Sequence, residues 1–178
     1  HLIHQLRKSF AQKKGATIFA YPVIDPKRYG VIEFNSDGKA FKVEEKPTNP
    51  KSKYAITGLY FYDNTVVSKA ETLKPSKRGE LEITDLNNLY MKENSLMVEK
   101  MNRGMTWLDT GTLDSLHEAS SYIRSLEKRQ GLKISCPEEI AWRMGFIDDD
   151  KLNFLSKNLL NSGYGDYLQS LIKEKENL

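Results

Sequence analysis

Between Ala16 and Ile24 the chain reads ATIFAYPVI, an almost unbroken apolar run, and this stretch constrains the fold more than any other. A strand with no polar face suits a sheet covered by helices on both sides. Pro22 moves the end of that strand toward an edge or a bulge, because proline has no amide to give to a ladder. The preceding segment, His1 to Lys14, is helical in pattern, with Leu2, Ile3, Leu6 and Phe10 on one side, and Gly15 stops it. It opens on that pattern without Met, as a chain belonging to a longer polypeptide would.

Further strands follow. VIEF (Val31 to Phe34) and AFKVE (Ala40 to Glu44) flank Asn35-Ser36-Asp37-Gly38, whose Asp-Gly pair signals a hairpin because glycine accepts positive φ. YAITGLYFY (Tyr54 to Tyr62) is a β-rich run with Gly58 inside it, where a ligand or a second backbone could approach closely. Leu96 to Met101 and Thr106 to Leu108 are shorter strand candidates. Helical patterns at Thr65 to Leu73 and Thr84 to Lys92 lie between them, so the class is α/β.

From Thr112 the pattern turns wholly helical. Leu113, Leu116, Ala119, Ile123 and Leu126 recur at spacings of three and four, behind Thr112 as N-cap. Ser135-Cys136-Pro137-Glu138 has the form of a capping box that opens a second helix, and apolar stripes at Leu152, Leu155, Leu159 and at Tyr164, Tyr167, Leu168, Leu171 continue the pattern. This divides the chain into an α/β part, 1–111, and a helical extension, 112–178.

Charge and cysteine content remove several classes of function. Lys and Arg number 27 against 24 for Asp and Glu, and they are interspersed, which gives nucleic-acid binding no footprint. The one cysteine, Cys136, has no partner for an internal disulfide, so a reducing compartment, the cytoplasm, is expected. No run approaches the length of a membrane span, and no membrane partner is expected.

Three clusters could carry chemistry. Glu44-Glu45-Lys46-Pro47 ends a strand, either as a solvated terminus or with Glu45 accepting sugar hydroxyls and Lys46 acting as a point charge on a phosphate. Pro75-Ser76-Lys77-Arg78-Gly79-Glu80 is either a basic turn or an anion site in which Arg78 forks onto phosphate oxygens. Asp109, in RGMTWLDTGT (Arg103 to Thr112), is either a turn residue or a hard oxygen ligand at a strand end, where open α/β folds bind ligands. Tyr29-Gly30 reads as a turn before a strand, with Gly30 permitting close backbone approach. The histidines His1, His4 and His117 sit in helical patterns without a catalytic motif and read as surface residues.

Taken together, DPKRYGVIEF (Asp25 to Phe34), EEKP (Glu44 to Pro47), YAITGLYFYD (Tyr54 to Asp63), KRGELEITD (Lys77 to Asp85) and RGMTWLDTGT closely resemble the glucose-1-phosphate thymidylyltransferases of the sugar nucleotidyltransferase family, in order and spacing. RQGLKISCPEEIAWRMGFI (Arg129 to Ile147) resembles the C-terminal extension of the thymidylyl group. The resemblance implies the C-terminal part of a Rossmann-like nucleotidyltransferase mixed sheet with flanking helices. It implies formation of dTDP-glucose and pyrophosphate from dTTP and glucose 1-phosphate, with magnesium.

By the same resemblance Tyr29 and Gly30 line the hexose pocket with Tyr60 and Trp107 nearby, Glu45 holds sugar hydroxyls, Lys46 and Arg78 grip the sugar phosphate, and Asp109 shares the metal. Lys46, Arg78 and Asp109 are then the catalytic set, converging on one glycosyl phosphate and its ion. Arg103, Glu139, Ile140 and Arg143 are implied for feedback inhibition by a dTDP-sugar, although Glu139 and Arg143 also read as an exposed i, i+4 ion pair. A homotetramer and dTDP-rhamnose synthesis for polysaccharide are implied as well. The Gly-rich GxGTR-type loop that cradles the triphosphate and reads the base is absent from the 178 residues, so the chain alone is expected to be inactive. Uridylyl or adenylyl transfer, and a catalytically dead sugar-nucleotide-binding module, remain the alternatives.

Overall fold

The computed structural model describes residues 2–176. The chain forms two compact units that divide between Trp107 and Leu108, ahead of the helix start where periodicity alone draws the line.

The first unit is built on a five-stranded mixed sheet in the order β3-β2-β4-β1-β5, comprising β1 (Ala16–Pro22), β2 (Gly30–Phe34), β3 (Ala40–Glu45), β4 (Tyr54–Tyr62) and β5 (Leu96–Lys100). The apolar run becomes β1. It pairs antiparallel with β4 and parallel with β5, and the β1–β4 register shifts between Ile18 and Ala20. Residues Ala16 to Ala20 are all buried, as a strand covered on both faces requires. On one face Ile18 and Ala20 pack with Ile32, Val43 and Ile56, while Ala16 packs with Leu86 and Tyr90 of α3 (Ile83–Lys92). On the other, Thr17 bonds Gln12 just past α1 (Leu2–Ala11), and Phe19 lies 6.2 Å from Phe61. The strand stops at Pro22, and Ile24 is fully exposed. The Asp37-Gly38 hairpin forms between β2 and β3, with Gly38 at φ 77°.

Several expectations need correcting. Thr106 to Leu108 form no strand; the Trp107 ring packs against the rings of Tyr21 and Tyr29. Helix α1 turns Ser9 inward, while Ile3 and Phe10 are exposed, because Gln5 is drawn to the carbonyl of Lys100 at 3.0 Å. A Cβ at Gly58 would meet open space, and the residue lies in β4 opposite the point where the β1–β4 register shifts.

Asp63 ties three parts of the first unit together. Its carboxylate accepts the Gly15 amide (2.6 Å), the Thr65 amide (3.0 Å), the Thr65 hydroxyl (2.5 Å) and the Tyr90 hydroxyl (3.0 Å). These bonds join the turn before β1, the start of α2 (Val66–Glu71) and α3.

The second unit contains α4 (Leu113–Gln130), α5 (Pro137–Arg143), α6 (Asp149–Lys157) and α7 (Tyr164–Glu176). Thr112 caps α4 as expected, in a reciprocal box with Ser115. Leu113 and Leu116 of the expected α4 stripe are nevertheless exposed, and only Ala119 is buried. The capping box at Ser135 does not form. Ser135 lies at φ 56°, Cys136 takes the N-cap position without a side-chain cap bond, and Pro137 starts the helix, where its missing amide costs nothing. The Glu138 carboxylate is instead claimed by the Tyr164 hydroxyl at 2.6 Å. The core of this unit gathers Cys136, Leu152, Tyr167, Leu168 and Leu171. A Cβ on Gly165 would fall 2.3 Å from the Ser156 carbonyl oxygen, so α6 and α7 meet there only because residue 165 is glycine.

The hydrogen bonds from Thr65 and Gly15 hold the Asp63 carboxyl down at about 2, below the ordinary aspartate value near 3.9. A depressed acid stabilises the fold fully above the unfolded value and loses that contribution as pH falls through the folded one. Acid unfolding should therefore steepen between about pH 4 and 2. In Asp63→Asn that part of the pH dependence should vanish, as read from denaturant midpoints across the range; a wild-type slope in the variant would refute the assignment.

Candidate sugar-phosphate site

One end of the sheet collects most of the residues that the sequence singles out in the first unit. Gly30 opens β2 and is paired in register with Glu45, the last residue of β3. One step further the Lys46 amide donates to the Tyr29 carbonyl at 3.0 Å, which prolongs the ladder past the sheet. That bond holds Lys46 at φ 42°, a left-handed conformation that costs a residue with a Cβ on the order of 1–2 kcal/mol. Its ammonium lies on an exposed residue, while Pro47 behind it is buried.

The Glu45 carboxylate is held from two sides. Thr84, buried in the first turn of α3, donates its hydroxyl to Oε2, and Arg78 stands 3.8 Å from Oε1. Gly30 makes this closeness possible. A Cβ there would meet Ile56 Cδ1 at 3.0 Å, Thr84 Oγ1 at 3.1 Å and Glu45 Oε2 at 3.2 Å, all tighter than ordinary contact. Burial, and then the charge of Glu45, push the Tyr60 phenol above its usual value, so that ring remains a neutral hydrogen-bonding group beside the carboxylate.

Arg78 sits in a turn closed by the Gly79 amide on the Ser76 carbonyl at 2.9 Å. Its guanidinium also meets Glu82 at 3.1 Å and Glu80 at 2.9 Å. An aromatic wall stands nearby in the chain's path. Tyr29 and Trp107 meet edge to face at 5.1 Å, Trp107 lies 6.1 Å from Tyr21, and the Tyr21 hydroxyl donates to the Met105 carbonyl at 3.1 Å. Trp107 is thereby placed without a strand.

The structure thus links Glu45, Arg78 and Gly30 by direct contact, attaches Lys46 and Tyr29 through the ladder, and sets Trp107 against Tyr29. Asp109 belongs to the second unit, half-buried, with its carboxylate oxygens close to Gly111. Among the implied regulatory residues, Arg103 is exposed in the first unit, and Arg143 pairs with Glu139 at 2.7 Å on α5, where Ile140 is 54% exposed. The Tyr167 hydroxyl also donates to Glu139. His4 and His117 are exposed as expected, and His1 lies outside the described residues.

Sequence reasoning missed Thr84 and Glu82. Both fall in ELEITD, where a glutamate and a threonine before a helical pattern read as ordinary N-terminal residues. Their spacing to Arg78 was the available signal, since Glu82 follows it by one helical turn.

Gly30→Ala should crowd Glu45, Thr84 and Ile56 at once. Overpacking at such a point costs about 1–3 kcal/mol. A lowered denaturant midpoint with unchanged slope is the expected result; an unshifted midpoint would mean that the neighbours yield freely.

A model of the nucleotidyl transferase family matches residues 2–125. A glucose-1-phosphate thymidylyltransferase of Mycolicibacterium smegmatis is 57% identical over 165 residues, covering 93% of this chain and 57% of that protein. One of Neisseria meningitidis is 52% identical over 169 residues, 95% of this chain and 59% of that protein. The chain therefore spans somewhat over half the length of these relatives. The crystal structure of a Bacillus anthracis protein assigned as a glucose-1-phosphate thymidylyltransferase, in complex with sucrose, is 44% identical with a TM-score of 0.61, over 68% of this chain and 48% of that one. A UDP-glucose pyrophosphorylase complexed with UDP-glucose shares the fold at a TM-score of 0.59 and 20% identity, over 70% of this chain and 48% of that one. With most of its length matched by that model and its mixed sheet shared with solved members, the chain belongs to the nucleotidyl transferase family.

Proposed function

We propose that this chain supplies the sugar-phosphate-binding portion of a glucose-1-phosphate thymidylyltransferase, which joins glucose 1-phosphate to dTTP and releases pyrophosphate. The observation that carries the reading is the meeting of Glu45, Gly30, Thr84 and Arg78 at one end of the sheet, with Lys46 turned out beside them. Identity of 52–57% to proteins of that name supports it.

Each residue has a physical task in this reading. Glu45, with one oxygen occupied by Thr84, offers acceptor capacity to sugar hydroxyls, a discrimination a purely apolar pocket lacks. Tyr29, Tyr60 and Trp107 present ring surface to the hexose, and the backbone of Gly30 admits it closely. Lys46 as a compact charge and Arg78 as a planar fork hold the phosphate. The attacking phosphate and the triphosphate are both polyanions, so cations must offset their repulsion and fix the oxygen in line.

Among the described residues no three His, Cys, Asp or Glu side chains gather at a spacing that could hold a metal. Magnesium takes most of its ligands from waters and substrate phosphates and needs as few as one carboxylate from the protein, and Asp109 is the residue that would supply it. Bound there, magnesium would neutralise and orient the triphosphate. The triphosphate loop is not encoded in these 178 residues, and a GxGTR-type loop from elsewhere would have to supply it.

The proposal extends to a homotetramer working in the cytoplasm, in dTDP-rhamnose synthesis. No helix among the described residues is long and apolar enough to cross a membrane. Feedback inhibition by a dTDP-sugar at Arg103, Glu139, Ile140 and Arg143 is part of the same reading. Because Arg143 is paired with Glu139, an inhibitor phosphate would have to draw it away from that partner.

Calorimetric titration of the chain with glucose 1-phosphate should show binding that weakens about tenfold or more in Lys46→Ala and in Arg78→Ala, the scale of a lost charge-assisted hydrogen bond. Binding that both substitutions leave untouched would overturn the site. The 178-residue chain should release no pyrophosphate from dTTP and glucose 1-phosphate, and turnover would refute the need for an external loop. In a full-length enzyme carrying this sequence, Arg143→Ala should weaken feedback inhibition with turnover nearly intact; an unchanged inhibition curve would remove Arg143 from the regulatory set.

A further inference from the structure

Three carboxylates surround the guanidinium of Arg78, more negative charge than one cation neutralises. Glu82 Oε1 lies 3.1 Å from Nη1, Glu80 Oε2 lies 2.9 Å from Nη2, and Glu45 Oε1 stands 3.8 Å from Nη1. They hold it unequally. The Glu82 side chain is 10% exposed, and the oxygen that meets Arg78 also accepts the Ser76 hydroxyl at 2.9 Å. Ser76 Oγ in turn accepts the Arg78 amide at 3.1 Å, so Glu82 grips both the head and, through Ser76, the backbone of the same arginine. The Glu80 side chain is 61% exposed and touches only the far nitrogen of the fork.

A second observation sets Glu82 apart. It occupies the N-cap position of α3, where a carboxylate would ordinarily accept a free helix amide, yet its side chain makes no cap bond. The carboxylate is directed to Ser76 and Arg78 instead, and a nearly buried carboxylate requires that partner.

We propose that Glu82 is a positioning residue that fixes the Arg78 fork, and that Glu80 is an internal placeholder anion which a phosphate displaces from Nη2. The inference rests on the sugar-phosphate reading of the site. Exchange of Glu80 for a phosphate replaces one anion by another on the same nitrogen, so the guanidinium need not move and Glu82 keeps its hold throughout. The net cost of opening the site is the release of one exposed ion pair, which is small. An arginine held on its buried side and loosely covered on its exposed side is preorganised to receive a phosphate oxygen at Nη2.

The two glutamates should then affect binding in opposite directions, which simple electrostatics does not allow, because removing either negative charge would strengthen anion binding. The test titrates the 178-residue chain with glucose 1-phosphate and, separately, with inorganic phosphate. Glu80→Gln should bind both about two- to fivefold more tightly, the ceiling for an exposed pair. Glu82→Gln should bind both about tenfold or more weakly. Ser76→Ala, which removes the second grip while leaving the charge, should weaken binding in the same direction and serves where Glu82→Gln folds poorly. A merely structural Glu82 would lower the unfolding temperature and leave the affinity of the folded chain unchanged, and that result would overturn its positioning role.

Tighter binding by both Gln variants would likewise overturn it, reducing Glu82 to background charge. Unchanged affinity in Glu80→Gln would overturn the placeholder. Failure of the unsubstituted chain to bind glucose 1-phosphate would instead overturn the sugar-phosphate reading itself, and this proposal with it.

Discussion

The absence of a side chain at Gly30 is the constraint on which the site depends. Side chains of Glu45, Ile56 and Thr84, from two strands and the first turn of a helix, meet there at 3.0–3.2 Å from where a Cβ would stand, so a methyl group would crowd all three. Because Gly30 is in register with Glu45, the same pairing that builds the β2–β3 ladder also brings the Glu45 carboxylate within reach of Thr84. The Tyr29–Lys46 bond extends that ladder by one step and bends the backbone into the left-handed region, so sheet pairing and the projection of the lysine share one cause. Strain of this kind persists where surrounding structure over-determines it, and here a buried Pro47 follows immediately.

Polar side chains in the first unit work mainly through carboxylates that collect several donors each. Asp63 gathers two amides and two hydroxyls to join the turn before β1 with α2 and α3. Glu82 gathers a hydroxyl and a guanidinium, and Glu45 a hydroxyl and the edge of the same guanidinium. The difference between them is functional in form. Asp63 takes only neutral donors and serves architecture, whereas Glu45 and Glu82 frame a cation whose outer side is covered only by the exposed Glu80. The second unit uses the same device with phenols, as Tyr164 and Tyr167 donate to Glu138 and Glu139.

Much of this was legible in the sequence. The run ATIFAYPVI becomes the most deeply buried strand, Asp37-Gly38 turns a hairpin, and Thr112 caps the long helix. Each is a local signal, set by an unbroken apolar run, by the freedom of one residue's φ or by a hydroxyl at a helix start. Where local signals misled, a distant partner had intervened. Ser135 and Glu138 have the spacing of a capping box, but Tyr164 takes the glutamate. Thr106 to Leu108 reads as a short strand, but Trp107 packs against the ring of Tyr29. Ile3 and Phe10 look like a core stripe, but the polar pull of Lys100 and Glu99 on Gln5 sets the face that α1 turns inward.

The sequence by itself determined the class of the fold and the order of its elements, and its resemblance to the glucose-1-phosphate thymidylyltransferases singled out Glu45, Lys46, Arg78 and Gly30 as candidate site residues. The first two depend on periodicity and turn chemistry, and the last on motifs in a given order, all of which are written along the chain. Only the tertiary structure decided how those residues are held. Thr84 and Glu82 entered the site because α3 starts beside the ends of β2 and β3, and the unequal grip on Arg78 arises because one glutamate is buried there and another is not. Burial is a property of the packed surroundings and leaves no mark on spacing, so two glutamates two positions apart in the chain read alike until the fold separates them.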